Sequence, residues 1–179
     1  MGKNTDWNKK RLKLEIFTPK YAKEVAELCN NENISKTTLG IPFPYTPQMA
    51  DEWIARRMEK VKLGIELTFA ITDKNSSKPT GCITLANINE KFSRAGVGYW
   101  LDEKEWNKGY ATEALKAIID FAFNKMGLHK VFCEFFAENK SSGRVMEKCG
   151  MVYEGTLKEH YTKNGEFKDS VCYGIINKN

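Results

Sequence analysis

The sequence predicts an α+β fold: a single mixed, mostly antiparallel sheet with helices on both faces. Three observations carry this expectation. Three strand-like runs recur at short spacing over 67–71, where Leu67, Phe69 and Ile71 alternate, 82–88 and 94–101, the pattern of an antiparallel meander. A strongly amphipathic stretch over 109–126 separates two strand-like runs, and a crossover of that kind makes its outer strands parallel neighbours. Asn164-Gly165 stands between two further patterned runs, which is the strongest short hairpin signal.

Taken in order, Leu12, Leu14 and Ile16 alternate with Lys13 and Glu15 as a half-buried strand. Thr18-Pro19 reads as an N-cap followed by proline at the first helical position, with Ala22, Val25, Ala26 and Cys29 on one helix face. Thr46-Pro47 repeats the signal ahead of Trp53, Ile54, Arg57 and Val61. Between them Leu39–Tyr45 is an ordered-loop candidate, because its two prolines restrict it. Residues 73–79 are a turn-rich connection between the first two strands of the meander. In the long helix Ala111, Ala114, Leu115, Ile118 and Ala122 share a face, and Gly127 follows as a C-terminal cap. Val131–Phe136 is a buried strand, residues 140–149 a short helix ending at Gly150, and Tyr153–Tyr161 with Phe167–Ile176 the closing hairpin.

The 179 residues are 41% hydrophobic and 28% charged, ordinary values for one globular domain, expected over 10–177 after a loose polar segment 1–9. A domain of this size buries roughly 70% of its unfolded surface and needs no metal or disulfide staple. No apolar run is long enough to span a membrane, and the start lacks signal-peptide and myristoylation patterns. The five cysteines are scattered without a CxxC, so they read as reduced thiols of a cytoplasmic protein. His129 and His160 lie far apart with no cysteine at ligand spacing, which argues against a zinc site. The net charge of +5 weakly suits a polyanionic partner.

The informative segment for chemistry is Asp102–Thr112. It follows a strand and opens the long helix, where unpaired N–H groups and the helix dipole bind anions. Gly109 removes a side chain where a ligand must come close, Ala111 keeps the next turn slim and Lys108 adds charge. The P-loop pattern GxxxxGK[ST] is absent, and Gly96–Leu101 lacks the third glycine of a dinucleotide fingerprint.

Gly98-Tyr99-Trp100-Leu101, then Trp106–Ala114, then Asn139-Lys140-Ser141-Ser142 with Val145, Lys148 and Gly150, resemble the GNAT superfamily. Within it they are most similar to the branch of ribosomal-protein alanine and serine N-acetyltransferases. The resemblance covers about residues 10–177 and is specific as a set of motifs. It implies acetyl-CoA as donor and a primary amine as acceptor. By this resemblance Asn107, Lys108, Gly109, Tyr110, Ala111 and Thr112 hold the pyrophosphate, while Trp100 and Leu101 pair with the pantetheine arm if the neighbouring strand diverges. Trp106 stands where the superfamily loop usually has Gln or Arg.

Asn139 has the chemistry of an N-cap, with Ser142 at the third position of its helix. The resemblance adds a contact of Asn139 with the pantetheine or acetyl carbonyl. It also places Ser142 near the sulfur, as the acid that protonates the departing thiolate. Attack needs a neutral amine, so a carboxylate must take its proton directly or through one water. Asp102, Glu103, Glu105, Glu134, Glu138, Glu154, Glu159, Glu166 and Asp169 are available, and Glu103 is the first choice because it follows the strand expected to present the thioester. A backbone N–H near Leu101 is the expected oxyanion donor. By the resemblance, the second helical region and last hairpin would wall the acceptor pocket, with Phe43, Tyr45 and Trp53 as aromatic candidates.

The acceptor expected from the branch is a protein or peptide N-terminal amine. Polyamines, antibiotics and amino acids are the alternative acceptors, and a non-catalytic acyl-CoA-binding module the alternative class. A homodimer is a family-level expectation. An RNA-binding reading, suggested by the basic balance and Phe132, Phe135 and Phe136, ranks last because Lys130-Val131-Phe132 lacks the RNP1 glycine.

Overall fold

A computed structural model describes residues 11–76 and 78–178; the segment 1–9, expected to be loose, lies outside them. The sheet has seven strands: β1 (Leu12–Ile16), β2 (Glu66–Asp73), β3 (Pro79–Asn89), β4 (Arg94–Leu101), β5 (Lys130–Phe136), β6 (Val152–Lys163) and β7 (Glu166–Ile176). They lie in the order β1-β2-β3-β4-β5-β7-β6. Every pair is antiparallel except β4–β5, the pair joined by the crossover helix α4 (Tyr110–Asn124).

Strand alternation sends side chains to two cores. Phe69, Ile71, Ile83, Leu85 and Val97 face α4, whose buried stripe is Ala114, Leu115, Ile118 and Ala122. On this face α5 (Lys140–Lys148) packs so closely that a Cβ at Gly143 would lie 3.2 Å from the Phe135 ring. Ala70 and Cys82 face the opposite core, built with α1 (Ala22–Cys29), α2 (Glu32–Thr37) and α3 (Pro47–Lys62). Helices therefore cover both faces, as the pattern predicts.

Two local expectations change. Thr18 makes no side-chain cap bond; Pro19 opens a single 3-10 turn and α1 starts at Ala22. Helix α2 was not anticipated, because six residues carry too little periodicity; its signal is Asn31, whose side chain caps the N–H groups of Asn33 and Ile34. Thr46 caps α3 as expected, accepting from the Met49 N–H. Among the described residues no helix is long and apolar enough to cross a membrane, and no group of three or more His, Cys, Asp or Glu side chains could hold a metal.

Candidate active site

β4 and β5 are hydrogen-bonded neighbours only from Arg94↔Lys130 to Gly96↔Phe132, although β4 runs on to Leu101 and β5 to Phe136. Beyond Gly96 the strands part. Tyr99 belongs to the α4 side of the sheet and Trp100 to the α1–α3 side, so the gap opens to both faces. A cavity of about 280 Å³ lies on the side of α4 and α5, and a second of about 300 Å³ lies between the gap and the 37–41 segment. Both are bordered by Tyr99, Trp100 and Ser142, so the two cavities adjoin at the gap.

The first cavity is closed by the loop 106–109 and the start of α4. Asn107 and Gly109 adopt left-handed backbone, with φ of 62° and 83°. Gly109 is the N-cap and supplies no side-chain acceptor, so the first-turn amides of α4 have no partner within the helix. The loop is tied to β1. Glu113 accepts from the Arg11 and Leu12 backbone N–H groups at 3.0 and 3.2 Å, and Arg11 Nη2 donates to the Lys108 carbonyl at 3.0 Å. The Tyr110 hydroxyl donates to Asp73 at 2.8 Å, anchoring the helix start to the end of β2. The Trp106 indole N–H donates to the Leu101 carbonyl at 3.0 Å, which fixes the chain between β4 and α4. The residue found where the superfamily loop has Gln or Arg thus has a structural role of its own.

The structure brings Trp100, Leu101, Asn107, Gly109, Tyr110, Ala111, Thr112, Asn139 and Ser142 together around this cavity. Lys108 does not border it; its ammonium turns to Glu105 at 3.1 Å. Two cations of α5 also border it together with Glu105: Arg144, not singled out from the sequence, and Lys148, quoted there without a role. A helix start with free amides, an approach without a side chain at Gly109, and this excess of positive charge fit a pyrophosphate-bearing ligand.

Asn139 caps α5, its Oδ1 accepting the Ser142 N–H at 3.2 Å. This holds the Ser142 side chain toward the gap, facing the buried Tyr99 hydroxyl, which closes no well-formed hydrogen bond. Burial pushes the Tyr99 phenol well above its usual pKa, and Ser142 acts in the opposite direction. Tyr99 was quoted in a motif but given no role; its place beside Val97 and Leu101 on one strand face was the available signal.

Glu103 is placed differently from the expectation. It borders neither cavity: its two oxygens accept from the side-chain amides of Asn31 and Asn33, each at 2.8 Å, so it anchors α2. The carboxylate on the wall of the second cavity is Glu134, whose Oε2 accepts the Tyr161 hydroxyl at 2.7 Å. A register shift in β6 between Leu157 and Tyr161 brings that tyrosine into reach. Asp169 braces the shift, accepting from the Glu159 N–H and Lys158. Trp53 and Leu39–Ile41 border the same cavity, whereas Phe43 and Tyr45 do not. Lys163 at the hairpin pins this segment, donating to the Leu39 and Ile41 carbonyls at 3.3 and 2.7 Å.

Residues 11–152 match the acetyltransferase (GNAT) domain family. The probable N-acetyltransferase YjcK of Bacillus subtilis is 29% identical over 74% of each chain. YdaF of Bacillus subtilis, a relative named for ribosomal N-acetyltransfer, is 27% identical over 92% of this chain and 91% of its own. A spermidine N(1)-acetyltransferase of Vibrio cholerae is 26% identical over 81% of each chain. Four further Bacillus relatives align over less than two thirds of their own length. Among solved structures, the microcin C7 self-immunity acetyltransferase MccE, in complex with acetyl-CoA and AMP, superposes with a TM-score of 0.87 at 23% identity, covering 94% of both chains.

Proposed function

Because the chain belongs to the GNAT acetyltransferase family, we propose that it transfers the acetyl group of acetyl-CoA to a primary amine, with a protein or peptide N-terminus as acceptor. The observation that carries this reading is the parting of β4 from β5 beside the uncapped start of α4. That geometry offers amides for a pyrophosphate at 107–112 and unpaired strand backbone near Trp100 and Leu101 for the amides of a pantetheine arm. YdaF and the ribosomal-protein acetyltransferases among the structural neighbours support the N-terminal acceptor. The five free cysteines suit a reducing cytoplasm.

In this mechanism the donor enters from the α4–α5 side and the amine from the side of Leu39–Ile41. Glu134 takes the amine's proton, directly or through one water, while Tyr161 holds its carboxylate in place. A backbone N–H near Leu101 donates to the carbonyl oxygen as it gains charge. Ser142 supplies the proton to the departing thiolate, with the Tyr99 hydroxyl behind it. No cysteine is needed as nucleophile. Cys133 lies on the cavity wall, but burial holds its thiol far above its ordinary pKa, which suppresses the thiolate.

The test is calorimetric binding of acetyl-CoA, followed by thiol release in the presence of N-terminal peptides. Binding with turnover is the expected result; neither one would overturn the reading. Ser142→Ala should lower kcat by about 10²-fold, the low end for a general acid, with kcat/KM falling in step and acetyl-CoA affinity little changed. A variant that keeps more than half of wild-type kcat removes Ser142 from the chemistry.

A further inference from the structure

The walls of the second cavity bear on the kind of amine it admits. Resting on its reading as the acceptor chamber, we infer that the acceptor presents one amino group on an apolar or aromatic body, with no second positive charge inside the chamber.

The cavity holds about 300 Å³, the low end for a small-molecule site. Six aromatic side chains build its wall: Trp53, Tyr99, Trp100, Phe135, Phe136 and Tyr161. Among the described residues only two charged side chains border it, Glu134 and Arg57. Arg57 is committed to the buried Glu66, 2.7 Å away, and Thr68 donates to the other Glu66 oxygen at 2.7 Å. Glu66 is therefore neutralised beneath the wall and offers nothing to a ligand. The Arg57 guanidinium also lies 5.3 Å from the centre of the Trp53 ring, so one aromatic face that would attract an ammonium already has a cation over it. Lys163 adds a further cation behind the 39–41 segment.

A monoamine finds the Glu134 carboxylate for its amino group and aromatic surface for the rest. A polyamine would bring its remaining ammonium groups to a wall where Arg57 already pairs with Glu66 and Glu134 is the one carboxylate among the described lining residues. Those charges would leave water with no anion to replace it, which disfavours binding. The chamber discriminates by withholding a second carboxylate.

Rates of thiol release from acetyl-CoA decide this, measured on the full chain with 2-phenylethylamine, a phenylalanine-initiated peptide amide, spermidine and a lysine-initiated peptide amide. The expected kcat/KM for the two apolar amines exceeds that for the two polycations by at least about tenfold. Spermidine acetylated as well as or better than phenylethylamine overturns the inference, and so does a bound donor with no transfer to either apolar amine. Leu39→Asp adds a carboxylate at a half-exposed position of the same wall. It should raise the spermidine-to-phenylethylamine ratio by about threefold, the size of an exposed ion pair; an unchanged ratio also overturns the inference. Acetyl-CoA binding by calorimetry separates the failures. If the donor binds and spermidine is preferred, only the acceptor class is wrong; if the donor does not bind, the acetyltransferase reading falls with it.

Discussion

Nine carboxylates could have taken the amine's proton on sequence grounds, and position along the chain favoured Glu103. Its side chain is instead held by Asn31 and Asn33, outside both cavities, and Glu134 stands on the wall of the second cavity. Glu134→Gln keeps the shape and the Tyr161 contact but removes the base. It should lower kcat/KM by about 10²-fold or more and flatten its rise with pH, read from initial rates between about pH 6 and 8.5. A wild-type profile in that variant would point to another base. Gly109 tests the opposite side of the gap. A Cβ there would lie 3.4 Å from Arg11 Nη2, a movable group, and φ of +83° costs a branched residue about 1–2 kcal/mol. Gly109→Val should therefore still fold by circular dichroism, yet lose measurable acetyl-CoA binding by calorimetry. Near-normal affinity in the folded variant would displace the pyrophosphate from this loop.

At the scale of the element, α5 shows how one residue can serve structure and chemistry together. Asn139 closes the helix start through the Ser142 N–H, and the same turn aims the Ser142 hydroxyl at the gap. Asn139→Ala should cost about 1 kcal/mol of stability as a lost cap. For a chain of this length that lowers Tm by about 2–4 °C in a thermal scan. Asn139→Asp restores the cap acceptor but adds negative charge beside the donor cleft. Recovered Tm with acetyl-CoA affinity still weakened would assign Asn139 both roles. Recovery of both would leave it a cap alone. The register shift in β6 is a second case. The hairpin was legible from Asn164-Gly165, but the shift that carries Tyr161 to Glu134 depends on Asp169 and Lys158 across the strand pair, which sequence spacing does not reveal.

Across the whole molecule, burial of phenols couples stability to alkaline pH. Tyr45 and Tyr161 are each pushed up to about 12, mainly by burial, and Tyr99 is raised for the same reason. Unfolded tyrosine titrates near 10. Between these values the unfolded chain loses protons that the folded chain keeps, so stability is full below about pH 10 and declines as pH rises toward about 12. Tm measured from about pH 8.5 to 11 should fall beyond about pH 10, and Tyr161→Phe should make the decline shallower. A Tm independent of pH over that range would contradict these burials.

The fold was legible in the sequence because its signals are local. Alternation marks β2, short strand-like spacing marks β3 and β4, the 3.6-residue stripe marks α4, and one crossover forces one parallel pair. The loop proposed to hold the donor was legible for the same reason: Gly109 and the helix it opens are neighbours in the chain. The acceptor side was not. Asn31 and Glu103, Arg57 and Glu66, Leu39 and Lys163, and Glu134 and Tyr161 meet only after distant segments have folded onto the sheet. Which carboxylate is clamped and which stays on the cavity wall depends on those long-range contacts, and residue type and spacing carry no record of them. The sequence by itself thus determined the sheet, the crossover and the glycine-opened start of α4, whose causes act over a few residues. Only the tertiary structure decided which carboxylate is clamped away from the cavities and which lines the second one, because that is set by what packs beside each charge.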